Sequence, residues 1–391
     1  MNCKLIKLGN IITGKTPSIN ENDIFIVEKD KYMFVTPRDM KNDEKYIRRT
    51  ERYLLSKIEE SYSNYILKNK SLCISCIGSD MGKVYLIEGN AVTNQQINSI
   101  TNVDDTICNI EYLYYYFRTQ KKYLKSIAGG STMPILNKND FSNIKISLPD
   151  IIIQNRIVKI LSTFDKKIEL NNQINANLYK YSINYLKSLA RNKMVNISHF
   201  GKVQGGYAFK SKDLKDEFTS NKIIKIKNIR SDIDIDISNS QFIDDNVVKD
   251  LDIKFKLQRG DVVIAMTGAE LGKTGFLYGK GNYYLNQRVG VIKGNNEKKN
   301  LYLKILMLSN NFQILLNSKG YGSAQPNIST LDIEKILIND IYESDLSKFY
   351  KMVNPIYNRI ISNCEENKKL EQLRDILLPE LMNDDINIEK I

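Results

Sequence analysis

A chain of 391 residues is too long for one ordinary domain and predicts two or three compact units with sizeable cores, and its 42% hydrophobic content is ordinary for a globular protein. The 57 Lys plus Arg against 45 Asp plus Glu give a net charge of +12, which favours a polyanionic partner, and the excess is spread over both halves instead of gathered in a basic tail. Five widely spaced cysteines argue against a secreted disulfide scaffold, and residues 1–10 lack the apolar core of a signal peptide. No stretch approaches ~18 consecutive apolar residues, so a cytoplasmic location is expected.

In chain order, the first ~150 residues mix short alternating runs, at 32–36 and 72–77, with glycine and asparagine turns, and one helix is expected near 112–127. Cys73 and Cys76 form a Cys-x-x-Cys, but they stand in an alternating segment and read as buried strand residues. No second pair follows and His199 is the only histidine, so zinc lacks ligands. A long helical pattern covers 151–192. Then the order repeats: alternating runs at 223–229 and 261–266, a helix near 301–317, and a second helical pattern over 344–391.

The repetition reaches single residues at an offset of 190 to 192. Leu8-Gly9 returns as Phe200-Gly201. The segment IGSDMGK at 77–83 returns as TGAELGK at 267–273, and Asn94-Gln95-Gln96 becomes Asn286-Gln287-Arg288. Gly129-Gly130-Ser131 with Pro134 matches Gly320, Gly322, Ser323 and Pro326. The chain is an α+β unit followed by a rod, written twice.

The rods follow heptad spacing. Positions 157, 161, 164, 168, 171, 175, 178, 182, 185 and 189 read Ile, Leu, Phe, Ile, Asn, Asn, Leu, Ser, Tyr and Leu. A further 192 residues on stand Phe349, Val353, Ile356, Ile360, Asn363, Asn367, Leu370, Arg374, Leu377 and Leu381. Matching stripes predict that the helices pair through Phe164, Ile168, Asn171, Asn175 and Leu178 on one and Ile356, Ile360, Asn363, Asn367 and Leu370 on the other. A buried Asn layer fixes register in parallel and antiparallel pairs alike. Asn354-Pro355 marks either the start of the second helix or a kink in it. About 35 residues at ~1.5 Å each make a rod of roughly 50 Å, against about 34 to 36 Å for a DNA turn, so the rods are read as a ruler between two DNA-facing units.

Catalytic groups are hard to find. His199 is the one candidate for a His-based general base, in a turn that opens the second repeat. Residues 268–274 (GAELGKT) end like a phosphate-binding loop, but Thr267 stands where the first glycine belongs. The first-half counterpart has Val84 where the hydroxyl residue belongs.

Four segments resemble the specificity subunits of type I restriction-modification systems: LGNIITGKTPS at 8–18, VTPRDM at 35–40, GGYAFKSKD at 205–213 followed by 224–229, and Leu148-Pro149 through Gln154, Arg156, Ile157, Ile160 and Leu161. In the right order inside a duplicated chain, they make the resemblance specific. It implies an α+β fold of two tandem pseudo-repeated target-recognition domains, at 1–150 and 193–343, separated by two long antiparallel helices, at 151–192 and 344–391, that form a coiled-coil spacer. The second helix departs from the pattern in lacking the Leu-Pro and Gln at its start. The resemblance also implies a non-catalytic subunit that reads a bipartite, asymmetric target on double-stranded DNA. Two methyltransferase subunits would carry S-adenosylmethionine and restriction subunits would use ATP, with no cofactor or metal on this chain. Ile160, Ile174, Tyr179, Ile183, Leu186, Met352, Leu373 and Leu378 are candidates to face those partners or the recognition domains.

Base reading calls for Arg toward guanine and Asn or Gln toward adenine, with Lys, Ser and Thr on phosphates. The repeat-matched loops offer Lys15, Thr16, Ser18, Arg38, Lys83, Asn94, Gln95 and Gln96 in the first half. In the second they offer Tyr207, Lys210, Ser211, Lys227, Arg230, Lys273, Gln287, Arg288, Ser323 and Gln325. Two other readings stay open: a stand-alone binder of a bipartite DNA site, and an NTP-dependent enzyme built around Lys273.

Overall fold

The structure, a computed structural model, describes residues 2–17, 25–26, 32–40, 44–68, 70–129, 134–215, 217–229, 235–320 and 326–383. It divides into two units, Met1–Lys167 with Leu370–Ile391, and Ile168–Lys369.

In the first unit one sheet runs Asn10–Thr13, Ile97–Thr101, Leu72–Ser75, Val84–Ile87, Tyr46–Ile47, and a second runs Phe25–Ile26, Tyr53–Leu54, Tyr32–Val35, Asn90–Thr93, Ile66–Leu67. Alternation explains the stacking. Leu72 and Ile74 face a core shared with Tyr112, Leu113 and Phe117, whereas Cys73 points the other way, into a core with Met33, Val35 and Ala91 of the second sheet. A strand buried on both faces loses the polar alternation of a surface strand, and all four residues of Leu72–Ser75 are buried.

The second unit repeats the plan. Gly201–Gly205, Val289–Gly294, Val262–Ala265 and Thr274–Phe276 form one sheet, and Leu214–Lys215, Gln241–Ile243, Asn221–Ile224, Asn282–Leu285 and Lys256–Leu257 the other. Each second sheet holds one parallel pair at the same place, Tyr32–Val35 with Asn90–Thr93 and Asn221–Ile224 with Asn282–Leu285. Duplication thus extends to strand order and direction.

Local structure departs from the sequence pattern at three places. The helices expected near 112–127 and 301–317 are each two, Ile110–Thr119 with Lys121–Ser126 and Glu297–Met307 with Asn310–Gly320. In the second pair the Ser309 hydroxyl donates to the Leu306 carbonyl and accepts from the Phe312 amide, closing one helix and opening the next. The run at 223–229 leaves the sheet at Ile224, because the buried Asn228 accepts from the Lys225 amide at 3.0 Å and folds the chain into a turn.

The two long helices are Ile151–Leu189, of 39 residues, and Glu343–Met382, of 40. Pro355 neither starts nor ends the second, which begins twelve positions earlier. Pro355 and Lys351, whose carbonyl it leaves without an amide donor, are both exposed, so water can satisfy that carbonyl. Within the second unit the helices run antiparallel: Asn171 meets Asn367, Asn175 meets Asn363, and the Tyr185 ring stacks on Phe349 at 6.2 Å. No helix among the described residues is long and apolar enough to cross a membrane.

Candidate nucleic-acid interface

In each unit, backbone hydrogen bonds gather loops that are distant in sequence along one edge. In the first, the Gly14 amide donates to Ile97 at 3.2 Å, Asn94 to Val35 at 3.0 Å, Cys76 to Gln96 at 2.8 Å and Gly78 to Pro134 at 3.1 Å. Lys15, Thr16, Arg38, Lys83 and residues 94–96 therefore project from neighbouring segments. The second unit makes the same stitches: Gly206 to Val289 at 3.0 Å, Asn286 to Ile224 at 3.1 Å, Met266 to Arg288 at 3.0 Å and Gly268 to Pro326 at 2.9 Å. These bring Tyr207, Lys227, Lys273, Gln287 and Arg288 to the equivalent edge. Gly14 and Gly206 are required by close approach, since a Cβ would sit 2.2 Å from the Asn94 carbonyl oxygen in one case and 2.1 Å from that of Asn286 in the other.

Arg38 and Lys227 crown equivalent turns. Asp39 accepts from the Thr36 amide and hydroxyl, both at 2.8 Å, and Asn228 plays this part for Lys225, so each turn is held from below and its cation stands exposed. Burial, aided by the charge of Lys227, holds the Lys225 ammonium below the ordinary lysine range, as burial does for Lys222, and this crowding of cations suits an anionic partner.

At the 94–96 turn, Asn94 donates to the Gln96 side chain at 3.1 Å and accepts from its amide at 3.2 Å, so these two amides hold the turn. Gln95 is exposed and accepts from the Thr16 hydroxyl. Gln287 and Arg288 are exposed and their side chains make no hydrogen bond among the described residues. Lys210 and Ser211 are exposed too, at a turn fixed by the Lys210 amide donating to Asp213 at 2.7 Å. Ser18, Arg230, Ser323 and Gln325 lie outside the described residues.

Lys83 and Lys273 occupy equivalent turns and pair with Asp80 at 2.9 Å and Glu270 at 2.6 Å. Gly268 and Gly272 adopt φ of +80° and +79°, which only glycine takes readily, and the loop joins two antiparallel strands. A phosphate cradle needs a helix N-terminus after the lysine. Here Thr274 starts a strand, buried, with its hydroxyl on the Met307 carbonyl at 3.2 Å.

Burial pushes the Cys73 thiol up to about 12 and the Cys76 thiol up to about 11, so neither is a reactive thiolate near neutral pH. His199 is exposed at a short turn, its ring edge against Phe200.

Charged anchors fasten each unit to its stretch of the long helices. Asp165 accepts from Arg374 at 2.8 Å and from the Tyr115 hydroxyl, with Lys45 at 3.7 Å; Lys45 also donates to Glu111 at 2.7 Å and to Tyr115 at 3.0 Å. In the second unit, Arg259 grips Glu365 with two bonds of 2.7 and 3.0 Å, and the Tyr357 hydroxyl donates to the Gly260 carbonyl at 2.8 Å. None of these roles was anticipated, although a lone Arg374 in an apolar heptad position was the available signal. Gln154, wholly buried, accepts from the Asn109 amide at 2.9 Å and donates to the Ile107 and Pro149 carbonyls at 3.0 and 2.9 Å, tying the first helix to the loop before Ile110–Thr119.

The helix-pairing residues Ile168, Asn171, Asn175, Ile360, Asn363 and Asn367 are buried, whereas Phe164, Leu178, Ile356 and Leu370 are half-buried. Of the candidates to face partners or the recognition domains, Leu186 and Leu378 lie in the cores of their own units. Ile160, Tyr179 and Ile183 pack against those cores and Ile174 is half-buried, while Met352 and Leu373 are exposed.

A sequence profile described as "Type I restriction modification DNA specificity domain" matches residues 3–180 and 191–339, one copy on each repeat. The chain belongs to this family of specificity proteins. The type I restriction enzyme MjaIX specificity subunit of Methanocaldococcus jannaschii is 24% identical over 415 aligned positions, covering 99% of this chain and 94% of that protein. The HindI specificity subunit of Haemophilus influenzae is 36% identical over 172 positions, 42% of this chain and 36% of that protein. A crystal structure of a type I S subunit from M. genitalium shares the fold, with a TM-score of 0.55 and 16% identity over 97% of this chain and 95% of that one.

Proposed function

We propose that this specificity-family chain reads a bipartite, asymmetric DNA target, each unit contacting one half-site through its stitched edge. The observation that carries this reading is that the two edges share one backbone scaffold but differ in their side chains: Arg38 against Lys227 and Lys15 against Tyr207, all exposed, and the half-buried Gln96 against the exposed Arg288. A common scaffold with changed side chains is what two different half-sites require. The long helices, at ~1.5 Å per residue nearly 60 Å each, act as the spacer and as a platform for two methyltransferase subunits. Those subunits carry S-adenosylmethionine, restriction subunits use ATP, and this chain performs no chemistry, in the cytoplasm.

The experiment is to assemble the full chain with its methyltransferase partner and map modified adenines on genomic DNA, expecting an interrupted two-part sequence. Arg288→Ala should relax or weaken only one half, by about 1–3 kcal/mol for a lost bidentate base contact. Equal loss in both halves would assign Arg288 to folding. Specific binding by the chain alone, as tight as by the assembly, would favour the stand-alone binder, and ATP binding lost in Lys273→Ala would favour the enzyme.

A further inference from the structure

Tyr207 follows Gly206 as Lys15 follows Gly14, and each is the first residue beyond the close backbone contact at its edge. Tyr207 is 38% exposed, and its amide donates to the Leu285 carbonyl at 2.9 Å, setting it beside the 286–288 turn. Its ring meets Phe209 and Phe255 edge-on, at 4.9 and 5.5 Å, and its hydroxyl makes no hydrogen bond among the described residues. Phe255 ends the short turn Ile253–Phe255 just before Lys256–Leu257, and Ile253 is 82% exposed.

The first unit builds the same floor and places a different group on it. Tyr65 ends the turn Ser63–Tyr65 just before Ile66–Leu67, the counterpart of Phe255, and the Lys15 ammonium lies 5.1 Å from the Tyr62 ring centre and 5.6 Å from that of Tyr65. One edge thus presents a cation held over two rings, and the other presents the Tyr207 ring with no cation over it among the described residues. Lys210 and Lys212, both exposed, follow Phe209 in the chain, and the exposed Lys254 lies 5.1 Å over Phe255. An apolar pad with cations beside it suits a duplex groove, where phosphates flank the base edges. The apolar group on a major-groove base edge is the 5-methyl of thymine.

We infer, resting on the DNA-reading function above, that Tyr207 with Phe255 forms a pad that takes a thymine methyl in the half-site read by the second unit. At the position of Tyr207 the first unit has Lys15, whose ammonium lies over Tyr62 and Tyr65 and offers only hydrogen-bond donors to an acceptor atom.

The test uses the full chain assembled with its methyltransferase partner, once the two-part target has been mapped. In the half-site sensitive to Arg288→Ala, each thymine is replaced singly by deoxyuridine, which removes only the methyl. One replacement should weaken binding about fourfold, the transfer value of a buried methyl. That loss should vanish in Tyr207→Ala and persist in Tyr207→Phe, which keeps the ring. Unchanged base preferences at the other half-site show that the variant is folded. A wild type indifferent to every replacement, a fourfold loss that survives in Tyr207→Ala, or a half-site without thymine would each overturn the inference while leaving DNA reading intact. An assembly that selects no two-part sequence would overturn the DNA-reading function, and this inference with it.

Discussion

Asn363 donates from Nδ2 to Oδ1 of Asn175 at 2.7 Å, across the seam of the two long helices. Asn171 donates in the same way to Asn367 at 2.8 Å. Because Asn171 and Asn363 are counterparts in the repeat, as are Asn175 and Asn367, the two bonds are one bond made twice about a local two-fold axis. The same logic governs a symmetric dimer interface, except that one chain supplies both sides. All four side chains are buried, and register shifts would strand their amides among apolar neighbours.

Replacing Asn363 by Leu leaves Asn175 Oδ1 without this donor inside the seam. The expected cost is about 1–3 kcal/mol of unfolding free energy, read from denaturant melts. Replacing all four asparagines by Leu should instead raise the melting temperature, because apolar seams are more stable though less specific. A single Leu variant more stable than wild type would contradict this account.

Asp165→Asn removes the carboxylate that faces Arg374 and Lys45, both largely buried. Burial opposes the charge on Arg374 but the pull of Asp165 prevails, and its guanidinium is held above the ordinary arginine range. Breaking such a pair from one side typically costs about 3–5 kcal/mol. Glu88→Gln, which breaks the exposed pair with Arg48, should cost less than about 1 kcal/mol. Equal costs in thermal melts would show that burial does not set the scale.

The hydrogen bonds from Arg259 hold the Glu365 carboxyl below its ordinary value of 4.5, against the opposing effect of burial, with help from the Gly279 amide. A depressed folded-state value means stability that is present above the ordinary glutamate range and lost as pH falls through the folded value. The wild type should therefore exceed Glu365→Gln by up to about 1 kcal/mol near pH 7, the pair being partly exposed. The gap should begin to narrow as pH falls through the unfolded-state glutamate value of about 4.3 and close once pH passes below the depressed folded value. A gap that widens in acid would reverse the sign and refute the assignment.

Gly206→Ala places a methyl 2.1 Å from a backbone oxygen, so the 286–288 turn must move. Recognition of the second half-site should be lost while the first half-site keeps its preferences, as read by mapping modified bases. Gly129→Ala meets nothing within 4 Å and serves as the control expected to change neither.

The duplication, the α+β class and the two long helices follow from sequence because each rests on local patterning: short runs bounded by glycine and asparagine turns, heptads from Ile157 onward, and glycines where backbones cross. Pro355 misleads for the same reason, since local rules allow a helix to start there while the helix already runs from Glu343, with Phe349 and Val353 packed in the same core as Tyr357 and Ile360. The antiparallel sense was beyond any stripe, because an Asn layer satisfies either direction and only the partner across the seam decides. The charged anchors at Asp165 and Glu365, and the Tyr207 pad over Phe255, likewise join residues far apart in sequence, and no period within one strand or helix records which distant side chain completes a hydrogen bond or covers a ring.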